Sequence, residues 1–143
     1  MASEVSSANQ FVRAAIAAGI AAAGDVLRVY PRAAPESATP PYVVYSLVSS
    51  PASLGTGARH IHSRPLYLVL VWARADETSP AQMQAFADAV DDGLTGAAAQ
   101  TIGDWRVAGC WRSGRGSIDD DDLVGGVRYL MRGAYYELHV HPV

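Results

Sequence analysis

The stretch Leu66–Leu94, LYLVLVWARADETSPAQMQAFADAVDDGL, sets the fold of the chain, because it contains one strand and one helix whose signals do not compete. In its first nine residues Leu66, Leu68, Leu70 and Trp72 alternate with Tyr67, Val69, Val71 and Ala73, so a strand here is apolar on both faces. The helix then announces itself. Ser79 is placed as an N-cap, Pro80 as the first helical residue and Gln82 as the partner in a capping box, with Asp76 and Glu77 near the positive end of the helix dipole. Met83, Phe86, Ala87, Val90 and Leu94 form its apolar stripe, and Asp88, Asp91 and Asp92 fall largely off it, toward water.

Upstream of this unit, PPYVVYSLVSS (Pro40–Ser50) is a second strong strand, rich in β-branched and aromatic residues. Nearer the N-terminus, Ser7 and Gln10 form a capping-box pattern, and Val12, Ile16 and Ile20 fall four apart, which predicts a helix from about Ala8 to Ala23. A short strand follows around Val26–Tyr30, then the proline-punctuated loop RAAPESATPP. Between the two strong strands, residues 50–65 (SPASLGTGARHIHSRP) read as a projecting loop or hairpin extension. Two further strands, WRVAGCWRS and VGGVRYLMRGAYYELHVHPV, flank an acidic hairpin loop at about 114–124. The order predicts a single α+β domain over 1–143, with a mostly antiparallel mixed sheet of four to five strands and two helices on one face. Two helices cover one face only. The apolar second face of the strands at Tyr42 and Leu66 therefore needs a cover that another copy can supply.

Composition narrows the chemistry. Half of the residues are hydrophobic, 17% are charged and the formal net charge is -3, which argues against a disordered chain or a general nucleic-acid binder. Every basic residue is arginine, which a GC-rich coding sequence accounts for, although arginine also suits interfaces. The lone Cys110 excludes an internal disulfide and a cysteine-based zinc site. Glu4 stands where a signal peptide would be basic, and no apolar run approaches the roughly 18 residues of a membrane span, so a soluble protein of the cytoplasm or of an assembled particle is expected, without membrane contact.

Four groups of residues invite a site. His60 and His62, like His139 and His141, are two apart, which points both imidazoles of a strand to one face, and Asp119, Asp120, Asp121 and Asp122 offer oxygens for a mixed metal site. One histidine pair lies in a glycine-rich segment, the other at the C-terminus, and the aspartates lack the alternating ligands and turn glycine of a calcium loop, so no metal and no cofactor is assigned. GTGARH and GVRYLMRG match no phosphate-binding loop, and no serine sits in a nucleophile elbow, so no catalytic residue is assigned either. Arg59, Arg64, Arg112 and Arg115 flank the loops and, with His60, His62 and the aspartates, are the candidates for an interface between copies. The alternative for all of them is a solvated surface that only keeps the chain soluble.

The join of PPYVVYSLVSS to YLVLVWARADETSPAQMQAFADAVDDGL, after an amphipathic helix and before a final strand pair, resembles the tail-terminator, or tail-completion, family of long-tailed bacteriophages across essentially the full chain. That resemblance implies a structural virion protein without catalytic residues. It implies a ring, generally a hexamer, at the head-proximal end of the tail tube, which stops tube polymerisation and presents a joining surface to the head. Its implied partners are other copies of itself, the major tail tube protein, a head-completion or connector protein, and DNA that passes through the lumen without specific binding. The virion tail, assembled in the host cytoplasm, is the implied location, and Asp119–Asp122 would face the lumen or a docking surface, where acidic groups do not hold phosphate. The alternatives are a head-completion or stopper protein, or a small ligand- or metal-binding α+β domain.

Overall fold

The computed structural model describes residues 3–50, 52–54 and 60–143, with 52–54, 60–61 and 115–116 as backbone alone. In chain order the elements are α1 (Glu4–Ala22), β1 (Arg28–Pro31), β2 (Tyr42–Ser49), β3 (Ala52–Leu54), β4 (His60–Ser63), β5 (Leu66–Arg74), α2 (Pro80–Thr95), β6 (Gln100–Ile102), β7 (Trp105–Val124) and β8 (Val127–Pro142).

α2 begins where its sequence dictates. The Ser79 side chain accepts from the Gln82 N–H at 3.2 Å, and the Gln82 side chain accepts from the Ser79 N–H at 2.9 Å, closing the capping box with Pro80 in the first turn. α1 starts one turn earlier than the Ser7–Gln10 pattern predicts. Ser3 is the N-cap, accepting from the Ser6 N–H at 3.0 Å, while Ser7 is fully buried and donates to the Ile102 carbonyl at 3.1 Å. Either serine has the chemistry of a cap. Docking of the helix against β6 determined which one was used.

Two long hairpins build the sheet. The first runs from β2 through β3 and returns through β4 and β5: β2 pairs β5 from Tyr42↔Trp72, and β3 pairs β4 from Ala52↔Ser63. The second is β7 and β8, paired from Trp105↔Pro142 to Val124↔Val127. β8 joins them, pairing β5 over Leu66↔Glu137 to Arg74↔Tyr129 and β4 at Ser63↔Val140. β1 adds a parallel edge beside β2, and β6 an antiparallel one beside the start of β7. The sheet is thus mixed and mostly antiparallel as expected, but it has eight strands instead of four to five. The additional strands are β3 and β4, which make the segment read as a projecting loop or hairpin extension a hairpin extension of β2 and β5, and the three-residue β6, all too short or too glycine- and serine-rich to show a periodicity of their own.

The acidic segment is a second correction. Residues 117–124 form no loop but continue β7, with Ser117 through Val124 in register against Ala134 through Val127. The turn is only Gly125–Gly126, with φ of 58° and 81°, the left-handed pair that a two-residue turn between twisted strands requires. Cross-strand pairing with β8 overrides the poor strand propensity of aspartate.

Both helices lie on one face. Phe11, Val12, Ile16 and Ile20 of α1 and Met83, Val90 and Leu94 of α2 are buried against Val43, Tyr45, Tyr67, Val69, Val71, Ala134, Tyr136, Leu138 and Val140 of the sheet. The helices approach so closely that a Cβ on Gly19 would sit 2.3 Å from the Ala89 carbonyl oxygen, and one on Gly93 2.4 Å from that of Ala15.

Candidate docking surfaces

Strand alternation that buries Tyr67, Val69, Val71 and Ala73 under the helices turns Leu68, Leu70 and Trp72 to the other face. Register places Tyr42 and Val44 of β2 on one side of them and Met131 and Tyr135 of β8 on the other. All of these side chains are half-buried, with no helix above them. At one end the aromatic rings form a continuous row: Tyr30–Tyr42 at 5.7 Å, Tyr42–Trp72 at 6.4 Å and Trp72–Tyr129 at 6.4 Å between centroids. Burial in this row, then the neighbouring Tyr129 and Tyr30, raises the Tyr42 hydroxyl above its usual range. A cleft of about 280 Å³ opens beside it, between Trp72, Tyr129 and the loop carrying Pro35 and Pro40. Trp111, 50% exposed, lies at the far end against His139, with centroids 4.5 Å apart.

His62 and His139 do come together, with ring centroids 6.3 Å apart, and His139 Nε2 lies 3.0 Å from Glu137 Oε1. His141 Nδ1 lies 3.1 Å from the Pro142 carbonyl. The aspartates are elsewhere. Asp122 pairs with Tyr129, so it stands roughly 30 Å along β8 from His139 at about 3.3 Å per residue. Among the described residues no three His, Cys, Asp or Glu side chains are grouped to hold a metal ion. Arg59 lies outside the described residues, as do the side chains of His60 and Arg115; Arg64 is exposed.

In β7 the four aspartates divide by strand parity. Asp119 and Asp121 point to the helix side, where Asp119 meets Arg132 at 3.1 Å and Asp121 meets Arg128 at 3.6 Å. Asp120 and Asp122 point to the open side and make no ion pair among the described residues. Such charges on an edge strand also deter unspecific strand addition.

On the helix side a groove of about 210 Å³ runs between α2 and β7–β8. Asp91, expected to face water, is half-buried there and accepts from the Tyr136 hydroxyl at 2.6 Å, with Arg112 at 3.8 Å. Arg112 also donates to Ser117, and Arg132 to Gln84 Oε1 at 3.0 Å. Burial and then the hydrogen bond to Asp91 push the Tyr136 hydroxyl up, and burial, then Asp91, pushes the Cys110 thiol up to about 12. A thiol held protonated in this way is no nucleophile at neutral pH. Asp91 ties α2 to β8, a role its place off the apolar stripe did not reveal, since only the tertiary pairing brings Tyr136 beneath it.

No helix is long and apolar enough to cross a membrane among the described residues. The family described as tail completion protein gp17 matches residues 12–129. The chain belongs to this tail completion family. It is a structural protein of the virion tail, and its neighbours in the particle are other tail and head proteins. Among solved structures it is similar to a chain of the virion of a native gene transfer agent particle, at 25% identity and a TM-score of 0.55, with 94% of this chain and 92% of that one covered. No curated protein gives a significant match.

Proposed function

We propose that this tail completion protein forms a ring, a hexamer, on the head-proximal end of the tail tube, ends tube polymerisation there and presents the surface to which the head is joined. The observation that carries the reading is the bare sheet face: Tyr42, Val44, Leu68, Leu70, Trp72, Met131 and Tyr135 stay half-covered in the single chain, where the other face has two helices. An apolar surface of that kind belongs in an interface. The major tail tube protein, a head-completion or connector protein and further copies of the chain are its partners, and DNA passes through the lumen without specific binding. Asp119–Asp122 line that lumen or border a docking surface, where an acidic wall would not retain phosphate. Arg64 and Arg112, with Arg59, His60, His62 and Arg115, belong to the same contact surfaces. Catalysis has no part in this function, which needs neither cofactor nor metal, and assembly takes place in the host cytoplasm before the protein enters the tail.

The test is to mix the purified protein with assembled tubes, image the tips by electron microscopy and assay metal in the same sample. A ring on one end of each tube, with growth arrested and no metal, is expected. Bare, still-growing tubes would sink the reading, and a stoichiometric metal would redirect attention to His62 and His139.

A further inference from the structure

Among the described residues the sheet has open edges at β3, which pairs only β4, at β6, which pairs only β7, and at two further strands, β1 and β7, on opposite sides of it. β1 pairs only β2, and β7 pairs β6 only over Trp105–Val107, so residues 109–124 of β7 have an unpaired outer side. These two edges terminate the same rows. Arg28 lies in one row with Tyr42, Trp72, Met131 and Asp120, and Tyr30 in the next but one with Val44, Leu70, Gly133 and Ile118. Their directions also match: β1 is parallel to β2, and three antiparallel pairings follow through β5 and β8 to β7, so β1 and β7 run in opposite senses. Side by side, β7 of one copy and β1 of the next are antiparallel, the more favourable pairing. Their charges are opposite as well. Arg28 and Arg32 are exposed at the β1 edge and make no ion pair among the described residues, and neither do Asp120 and Asp122 at the β7 edge.

We infer that the β1 edge of one copy adds, antiparallel, to the acidic β7 edge of a second copy, with Arg28 set against Asp120 or, one two-residue step along, Asp122. A two-residue step keeps every side chain on its face. The contact is heterologous: each copy gives β1 to one neighbour and β7 to the other, so it propagates, and a closed set of copies leaves no β1 edge unpaired. Because β1 has only four residues, the junction is small and favours copies already held together on a template. This inference rests on the ring reading and names the surfaces that would close the ring.

The experiment uses full-length chains on a Cys110→Ala background, with native circular dichroism as the check of folding. Arg28→Cys and Asp120→Cys chains are oxidised separately and as a mixture, in concentrated solution and on tube tips, and Arg13→Cys mixed with Asp120→Cys is the control. A disulfide-linked dimer in the Arg28–Asp120 mixture alone, and a ladder of multimers from the double variant, are expected. In parallel, Arg28→Asp or Asp120→Arg alone weakens self-association by about tenfold or more through like-charge contact, and the two together restore it. If wild type caps tubes while the mixture cross-links no better than the control and the single reversals are silent, the edge pairing is overturned and the ring stands. If the mixture cross-links specifically but wild type caps no tube, the pairing stands and the ring at the tube tip falls.

Discussion

Leu138 and Leu70 are leucines of neighbouring central strands, yet Leu138 is fully buried beneath the helices and Leu70 is half-covered on the bare face. The same apolar side chain thus serves folding on one side of the sheet and contact on the other. Alternation alone separates the two roles. On the closed face the large side chains have helix above them, so the loss of one leaves a cavity in the single chain. On the open face the neighbouring side chains shield one another only partly, and the remaining area stays available until another surface arrives.

Substituting both leucines tests this difference most severely. Leu138→Ala is expected to lower unfolding stability by roughly 2–5 kcal/mol in urea titrations. Leu70→Ala should cost the isolated chain about 1 kcal/mol or less, because area that is already half wet loses little, while weakening attachment to tube tips. Equal losses would mean that the open face is part of the folding core.

Crowding probes the closed face from the other direction. In Gly19→Val the new Cβ would lie 2.3 Å from the Ala89 carbonyl oxygen, and overpacking of this kind costs about 1–3 kcal/mol. A lowered melting temperature with the helices still formed is expected; an unchanged one would mean that α1 can shift freely on α2.

Tyr136→Phe removes the hydroxyl that donates to Asp91 and should cost roughly 1–2 kcal/mol, a bond to a charged acceptor being worth more than a neutral one. Tube capping should survive it, since Tyr136 is buried beneath α2 and reaches no open surface. The same region fixes the reactivity of Cys110. Because its folded thiol is raised to about 12 from 9.0, this contribution to stability is full below pH 9 and is lost as pH rises toward 12. An aromatic disulfide reagent at pH 8 should therefore modify the unfolded chain and leave the native one unlabelled.

The smallest effect belongs to the open edge. Replacing Asp119–Asp122 by serine should change the stability of the single chain by less than about 1 kcal/mol, since exposed ion pairs contribute little. Normal ring formation, tail joining and DNA passage in that variant would remove any functional role for the four carboxylates.

Local chemistry made much of this legible. In Tyr67–Ala73 the alternation identified a doubly apolar strand, and the Ser79–Gln82 box fixed the start of α2, because both signals act within a few residues and the tertiary structure reinforces them. The bare face followed from the same reading: two helices cannot cover both sides of one sheet. The acidic run misled, since four aspartates look like a loop until β8 pairs with them, and the signal that would have located the true turn was Gly125–Gly126. Ser3 prevailed over Ser7 for a similar reason, with Ile102 contributing from 95 residues away.

Period and capping are short-range properties of the chain, and they were enough to establish the α+β class, α2, the central strands and the need for a second cover. Folding in three dimensions added what they could not: among the described residues Asp119 and Asp121 find arginines while Asp120 and Asp122 do not, Asp91 meets Tyr136, and β1 and β7 end the same rows. Those relations depend on register between strands far apart in sequence, which no local pattern encodes.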